Sequence, residues 1–188
     1  MTSGYELTTA ITNIFIFIVS LFCLIKIKSK PWKYFYLFMC IDSFMGVIAH
    51  GIKMSQRTND IIWVILSILF TITINLLLYV FKNIKIKNVI ILSSILSVIM
   101  LIQLFLNSNY LLTFVIYVLI AFLIIIYSVI KSNYKNQKYF LIGFIVQIIG
   151  GILMLFKTKI WILNHNGICH LFTVLTLIIF YLGIKKKD

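Results

Sequence analysis

The sequence predicts an all-α polytopic membrane protein, a bundle of seven transmembrane helices with its amino terminus outside and its carboxyl terminus inside. Three observations carry that expectation. Hydrophobic residues make up 62% of the 188 and charged residues only 11%, with a mean hydropathy of +1.11, which no ordinary water-soluble domain shows. Apolar runs of about 20 residues, the length that crosses a bilayer core, recur along nearly the whole chain and leave no soluble domain over. The basic residues collect in alternate breaks between those runs.

The first span covers 9–27. The residues before it lack a basic stretch and contain Glu6, so this run reads as a retained helix with a translocated amino terminus rather than a cleaved signal peptide. Lys26, Lys28, Lys30 and Lys33 follow it. The second span, 33–53, starts behind Pro31, the only proline, and places Trp32 at the inner interface. The third, 60–81, opens with Asn59 and Asp60 and closes before Lys82, Lys85 and Lys87. The fourth and fifth, 88–106 and 110–130, lead to Lys131, Lys135 and Lys138. The sixth, 138–156, carries Gly150 and Gly151, read as close-packing positions. The seventh, 166–184, ends in Lys185, Lys186 and Lys187.

Thirteen of the 17 basic residues thus fall on one side, against Lys53, Arg57, Lys157 and Lys159 on the other. The positive-inside rule makes the richer side cytoplasmic. Trp63 and Trp161 then belong to the outer interface, where amphipathic indoles settle.

The net charge of +13 does not indicate a nucleic-acid partner, because the lysines are divided among short loops without a basic domain. Cys23, Cys40 and Cys169 form neither a disulfide framework nor a paired-cysteine zinc motif. With no proline inside a span and no internal repeat, the broken helices of many transporters are not expected. The localisation expected is integral membrane and multi-pass, the plasma membrane if the chain is bacterial. Its partner would be a membrane lipid. Short loops argue for antiparallel neighbours and leave homo-oligomerisation open.

All three histidines fall where spans meet the outer face. His50 lies within about a turn of the outer end of the second span, and His170 about a turn into the seventh, with His165 at its start. Asp60 starts the third span on the same side. Polar groups that bind metal are costly to keep in so apolar a chain. Imidazole is a common zinc ligand, and three protein ligands with an open position describe a catalytic site. His50, His165 and His170 are therefore the candidate ligands of a Zn²⁺ ion. Ser43, seven residues before His50, falls on the same helical face and deeper. Asp42 sits near mid-membrane, where an ionised acid is expensive, with Asn75 or Gln147 as partners to test.

Each residue has a plainer reading as well. Asn59 and Asp60 could simply cap the third helix, and Ser43 could bond only to its own backbone. Cys169 reads more readily as a buried small hydrophobe than as a nucleophile.

With His50 ending the second helix, Asp60 starting the third and His165 and His170 opening the seventh, the chain resembles the superfamily of alkaline ceramidases and adiponectin receptors, often called CREST. The stretches Gly46-Val47-Ile48-Ala49-His50-Gly51 and Asn164-His165-Asn166-Gly167-Ile168-Cys169-His170 look like a bacterial branch of ceramidase-like architecture. Two departures stand out. The ceramidase serine lies four residues before the second-helix histidine, a position held here by Gly46, with Ser43 nearest. Their last two histidines are four apart, whereas His165 and His170 are five apart, about 140° around a regular helix.

The resemblance implies a zinc-dependent hydrolase of a lipid amide or ester. Asp60 would orient or deprotonate the water, and Ser43 would donate to the developing oxyanion. Two further readings stand beside it: a lipid receptor or sensor with a structural metal, and a small transporter, for which Asp42, Asn75 and Gln147 would have to line a path.

Overall fold

The computed structural model describes residues 6–81, 95, 98, 99, 102, 110–131 and 134–185 of the 188, with side chains in the 110–131 stretch from Tyr117 onward. Six α-helices are seen among them: α1 (Leu7–Lys26), α2 (Lys30–Gly51), α3 (Gln56–Val80), α4 (Tyr110–Lys131), α5 (Gln137–Leu155) and α6 (His165–Lys185). They match six of the seven expected spans to within four residues. The fourth expected span, 88–106, lies almost wholly outside the described residues. Helices α1, α2, α3, α5 and α6 are each long and apolar enough to cross a membrane.

Local chemistry sets the helix ends. The Ser55 side chain caps α3 by accepting from the Thr58 N–H at 3.2 Å. The cap is therefore Ser55, a turn before the Asn59–Asp60 pair the sequence offers for it. Asn164 caps α6, its Oδ1 accepting from the Gly167 N–H at 2.8 Å. Pro31 stands in the first turn of α2, where its missing N–H breaks no helical bond.

Every close backbone approach between described helices is between neighbours in one closed ring, α1–α2–α3–α4–α5–α6 and back to α1. One end of the ring is filled with aromatic side chains. Trp32 stacks on Phe140 at 5.3 Å between ring centres and meets Phe35, Phe81 and Phe180 edge-on. Its indole N–H donates to Tyr134 Oη at 3.1 Å. Tyr36 Oη, also buried, donates to the Leu177 carbonyl at 2.8 Å, tying α2 to α6.

Trp32 is only 1% exposed, so it is a core residue rather than the interface anchor the sequence implies. Its polar atom finds a partner inside the protein, and that removes the reason for an indole to seek the interface. The outward faces are apolar, with Ile14, Phe15, Ile25, Leu123 and Ile145 all exposed, as a bilayer solvent favours.

The end filled by Trp32 holds Phe81, just past α3, and Tyr134, just past α4. Helix α4 has 22 residues, so Tyr110 lies about 30 Å away at the opposite end. Helices α3 and α4 therefore run in the same direction.

Polar side chains within the helices bond largely to carbonyls one turn back, as Ser67, Thr73, Ser128 and Thr173 do. Thr176 reaches the Gly143 carbonyl across the α5–α6 contact at 3.1 Å as well as its own Phe172 carbonyl.

Glycines let these two helices approach. A Cβ on Gly143 would lie 2.5 Å from Phe180 Cε1, and one on Gly150 would lie 2.6 Å from Phe172 Cβ. Gly151, expected to be a close-packing position, has nothing within 4 Å of that point and is not one. Gly143→Ala should thus cost about 1–3 kcal/mol through overpacking. Gly151→Ala should be neutral or stabilise by up to about 1 kcal/mol through helix propensity. Melting of the two variants in detergent checks both, and equal melting points would refute the assignment of the contact.

Candidate functional site at the open end

At the end opposite the aromatic cluster, α1 begins, α2 ends and α6 begins, and their polar termini meet. The Glu6 backbone N–H donates to the His50 carbonyl at 2.8 Å, locking the start of α1 to the last turn of α2. The Glu6 carboxylate is the hub. Its Oε2 accepts from Thr9 Oγ1 at 2.7 Å, Asn164 Nδ2 at 2.8 Å and Asn166 Nδ2 at 3.1 Å, and lies 3.8 Å from His50 Nδ1. That last distance is electrostatic reach rather than a hydrogen bond. All of these contacts end on Oε2, which leaves Oε1 uncommitted among the described residues. Burial pushes the Glu6 carboxyl up, but the donors Thr9, Asn166 and Asn164 and the neighbouring His50 outweigh it and hold the group below its ordinary value.

His50 is 6% exposed and meets the rings of His170 and Trp63 edge-on, with centres 6.2 and 5.4 Å away. His170 Nδ1 stands 3.1 Å from Thr12 Oγ1. That hydroxyl also lies 2.9 Å from the Thr9 carbonyl. In the tautomer in which Thr12 donates to that carbonyl, His170 Nδ1–H donates to Thr12 and Nε2 keeps its lone pair. An imidazole whose Nδ1–H is anchored to an oxygen, with Nε2 left as a base, is the arrangement seen behind metal-bound histidines.

The other sequence candidates make different contacts. His165 is the first residue of α6, and a regular helix turns it about 140° from His170; its Nδ1 is buried with no hydrogen-bond partner. Asp60 is exposed on α3 and accepts from Gln56 Nε2 at 2.7 Å. Ser43 is buried and donates to the Met39 carbonyl at 2.7 Å, with the Cys40 carbonyl at 3.1 Å. Its hydroxyl is already used within α2. Asp42 pairs with neither Asn75 nor Gln147: its Oδ1 is buried without a partner, Asn75 Nδ2 bonds to the Thr71 carbonyl, and Gln147 Nε2 approaches Cys169 Sγ at 4.0 Å. Helical rotation and these local bonds separate residues that a one-dimensional count puts on the same side.

Glu6 is the member of this polar cluster that sequence reasoning passed over. The available signal was an acid among the first residues of a chain with only four acidic residues, together with two asparagines flanking His165.

Comparison with known families was made against this geometry. A family model described as a family of unknown function, DUF6962, matches residues 8–188. The chain belongs to DUF6962. The match takes in Thr9, Thr12, His50, Asn164 and His170, so nearly the whole cluster lies within the shared DUF6962 domain, with Glu6 just ahead of it. No curated protein and no solved structure matches the chain.

Zinc is the ion that the sequence and its resemblance imply. Among the described residues no three histidine, cysteine, aspartate or glutamate side chains stand close enough together to hold a metal as they are. Two imidazoles on one tetrahedral zinc, with Zn–N near 2.0–2.1 Å, keep their ring centres about 5 Å apart. His50 and His170 are about an ångström wider than that. His50 and His170 pair, with the Glu6 carboxylate 3.8 Å from His50, and among the described residues these groups as they stand do not form a three-ligand metal site.

Proposed function

We propose that the chain is a seven-span membrane protein, amino terminus outside and carboxyl terminus inside, whose outer polar cluster binds zinc and serves the hydrolysis of a lipid amide or ester. The lysine distribution supports the orientation, and the opposite-end positions of Phe81 and Tyr110 support a seventh crossing. The observation that carries the metal reading is the pairing of His50 and His170, ring centres 6.2 Å apart, beside the Glu6 carboxylate, with Thr12 within hydrogen-bond reach of His170 Nδ1.

When bound, zinc would supply a polarised carbonyl and a water of lowered pKa. His50 and His170 would ligate through imidazole nitrogen, and Glu6 through Oε1, a donor set known for catalytic zinc. Thr9, Asn164 and Asn166 hold the carboxylate in place through its other oxygen. The shell of apolar helices would exclude bulk water and strengthen these charges.

A second reading, a receptor that binds lipid without turnover, is favoured by one observation. Ser43 and Asp60, the groups the sequence offers for acid–base and oxyanion roles, are engaged elsewhere. The transporter reading has less behind it, because Trp32 and its neighbours fill the inner end of the ring.

Metal analysis of detergent-purified protein tests the proposal. Wild type should hold about one zinc per chain, and His50→Ala and His170→Ala should each lose it, while His165→Ala keeps it. Metal-free, well-folded wild type would end the metal reading. With zinc present, release of fatty acid from amide and ester lipids separates hydrolase from receptor.

A further inference from the structure

A groove of about 270 Å³ lies beside the polar cluster, on the outward side of the bundle. Its walls are Ile11, Thr12 and Phe15 of α1, Trp161 and Ile162 of the α5–α6 connection, and Leu171 of α6. Thr12, which anchors His170, is thus shared between groove and cluster.

The connection has an unusual build. Ile160 and Leu163 exchange two backbone hydrogen bonds, 3.0 and 2.9 Å, across a tight turn of Trp161 and Ile162. Trp161 has φ 52° and Lys157 φ 50°, left-handed conformations that side chains other than glycine rarely adopt. This backbone holds the Trp161 indole 94% exposed at the rim of the groove, and Phe156, Ile160 and Ile162 are exposed on the same connection. Strain that displays a large apolar side chain points to a partner for it. Lys157 and Lys159, both exposed, give the connection a double positive charge.

We propose that this groove binds one acyl chain of an anionic phospholipid from the outer leaflet, with the lipid phosphate held by Lys157 and Lys159 and the glycerol region under Trp161. The apolar walls on a membrane-facing side call for hydrocarbon rather than water. The volume is about nine times the roughly 30 Å³ that one water occupies in the liquid, room for part of a single hydrocarbon chain. The two lysines select the charge of the head group, since each basic group near a membrane surface favours anionic lipid. The inference rests on the membrane placement proposed above but not on zinc or on turnover.

Native mass spectrometry of the full chain tests it, after exchange into micelles containing equal phosphatidylglycerol and phosphatidylcholine with identical chains. Wild type should retain one phosphatidylglycerol per chain, at least tenfold over phosphatidylcholine. Ile11→Trp, which fills the groove, should abolish retention of both lipids. The surface double variant Lys157→Gln, Lys159→Gln should keep binding but lose the preference between them. Equal retention of the two lipids by wild type overturns the proposal, as does wild-type behaviour in either variant. Zinc content measured on the same samples reports separately on the metal site.

Discussion

Trp32→Ala is expected to destabilise the protein by about 3–5 kcal/mol, the range for deleting a buried large aromatic side chain. Trp32 is the contact through which α2, α5, α6, the end of α3 and the α4–α5 connection meet, by way of Phe35, Phe140, Phe180, Phe81 and Tyr134. Truncation would leave a cavity that five rings cannot close without leaving their rotamers, and would leave Tyr134 Oη without its donor. In a bilayer or micelle the apolar transfer term is small, because lipid solvates the unfolded helices well. The loss therefore comes mainly from packing, which places the effect toward the lower end of the range. Trp32→Phe, which keeps the stacking on Phe140 but not the hydrogen bond, should recover more than half of it. Thermal melting followed by circular dichroism in a mild detergent reads both variants, and a Trp32→Ala shift no larger than that of an exposed control such as Leu123→Ala would refute the assignment.

Glu6→Gln is the second large effect, and it is dependent on pH. The carboxylate receives three hydrogen bonds and lies beside His50. Hydrogen bonds to a charged group contribute about 1.5–3 kcal/mol each when buried. The Glu6 side chain is 33% exposed, so solvent screening reduces the whole assembly to about 1–2 kcal/mol. The folded pKa lies below the ordinary 4.5, so this stabilisation is fully present above that value and is lost as pH falls through the folded pKa. Metal-stripped wild type should therefore melt progressively lower as pH drops below about 4.5. Glu6→Gln should melt lower than wild type at pH 7 and should lack that part of the acid slope. Parallel pH profiles for the two proteins would show that Glu6 is not the hub of the cluster.

The helices themselves were legible because apolar runs of membrane-spanning length allow few solutions. Six described helices coincide with expected spans, and each boundary follows from a polar break, a cap or a charge cluster within a few residues. The candidate site was legible only in part. His50 and His170 meet as the sequence implies, since both stand about a turn from the same bundle end. Asp60 does not join them, because Ser55 starts α3 a turn earlier and Gln56 holds the Asp60 carboxylate at the surface. Ser43 shares a helical face with His50, but an interior serine has a carbonyl within reach in its own helix and takes it. Glu6 was hidden because nothing in a linear reading shows that α2 and α6 both pack beside α1.

The sequence by itself determined the length of the described helices and their apolar outer surface. These depend on composition and period, the features a bilayer would select through the cost of an unsatisfied backbone or a buried charge. Only the tertiary structure decided which polar side chains meet. Partner choice depends on helix rotation and ring order, and these are set by contacts such as Trp32 on Phe140 and Phe180 against Gly143, far from the site they position. At the other end, local bonds such as the Glu6 N–H to the His50 carbonyl and Asn164 to the Glu6 carboxylate bring the polar side chains together.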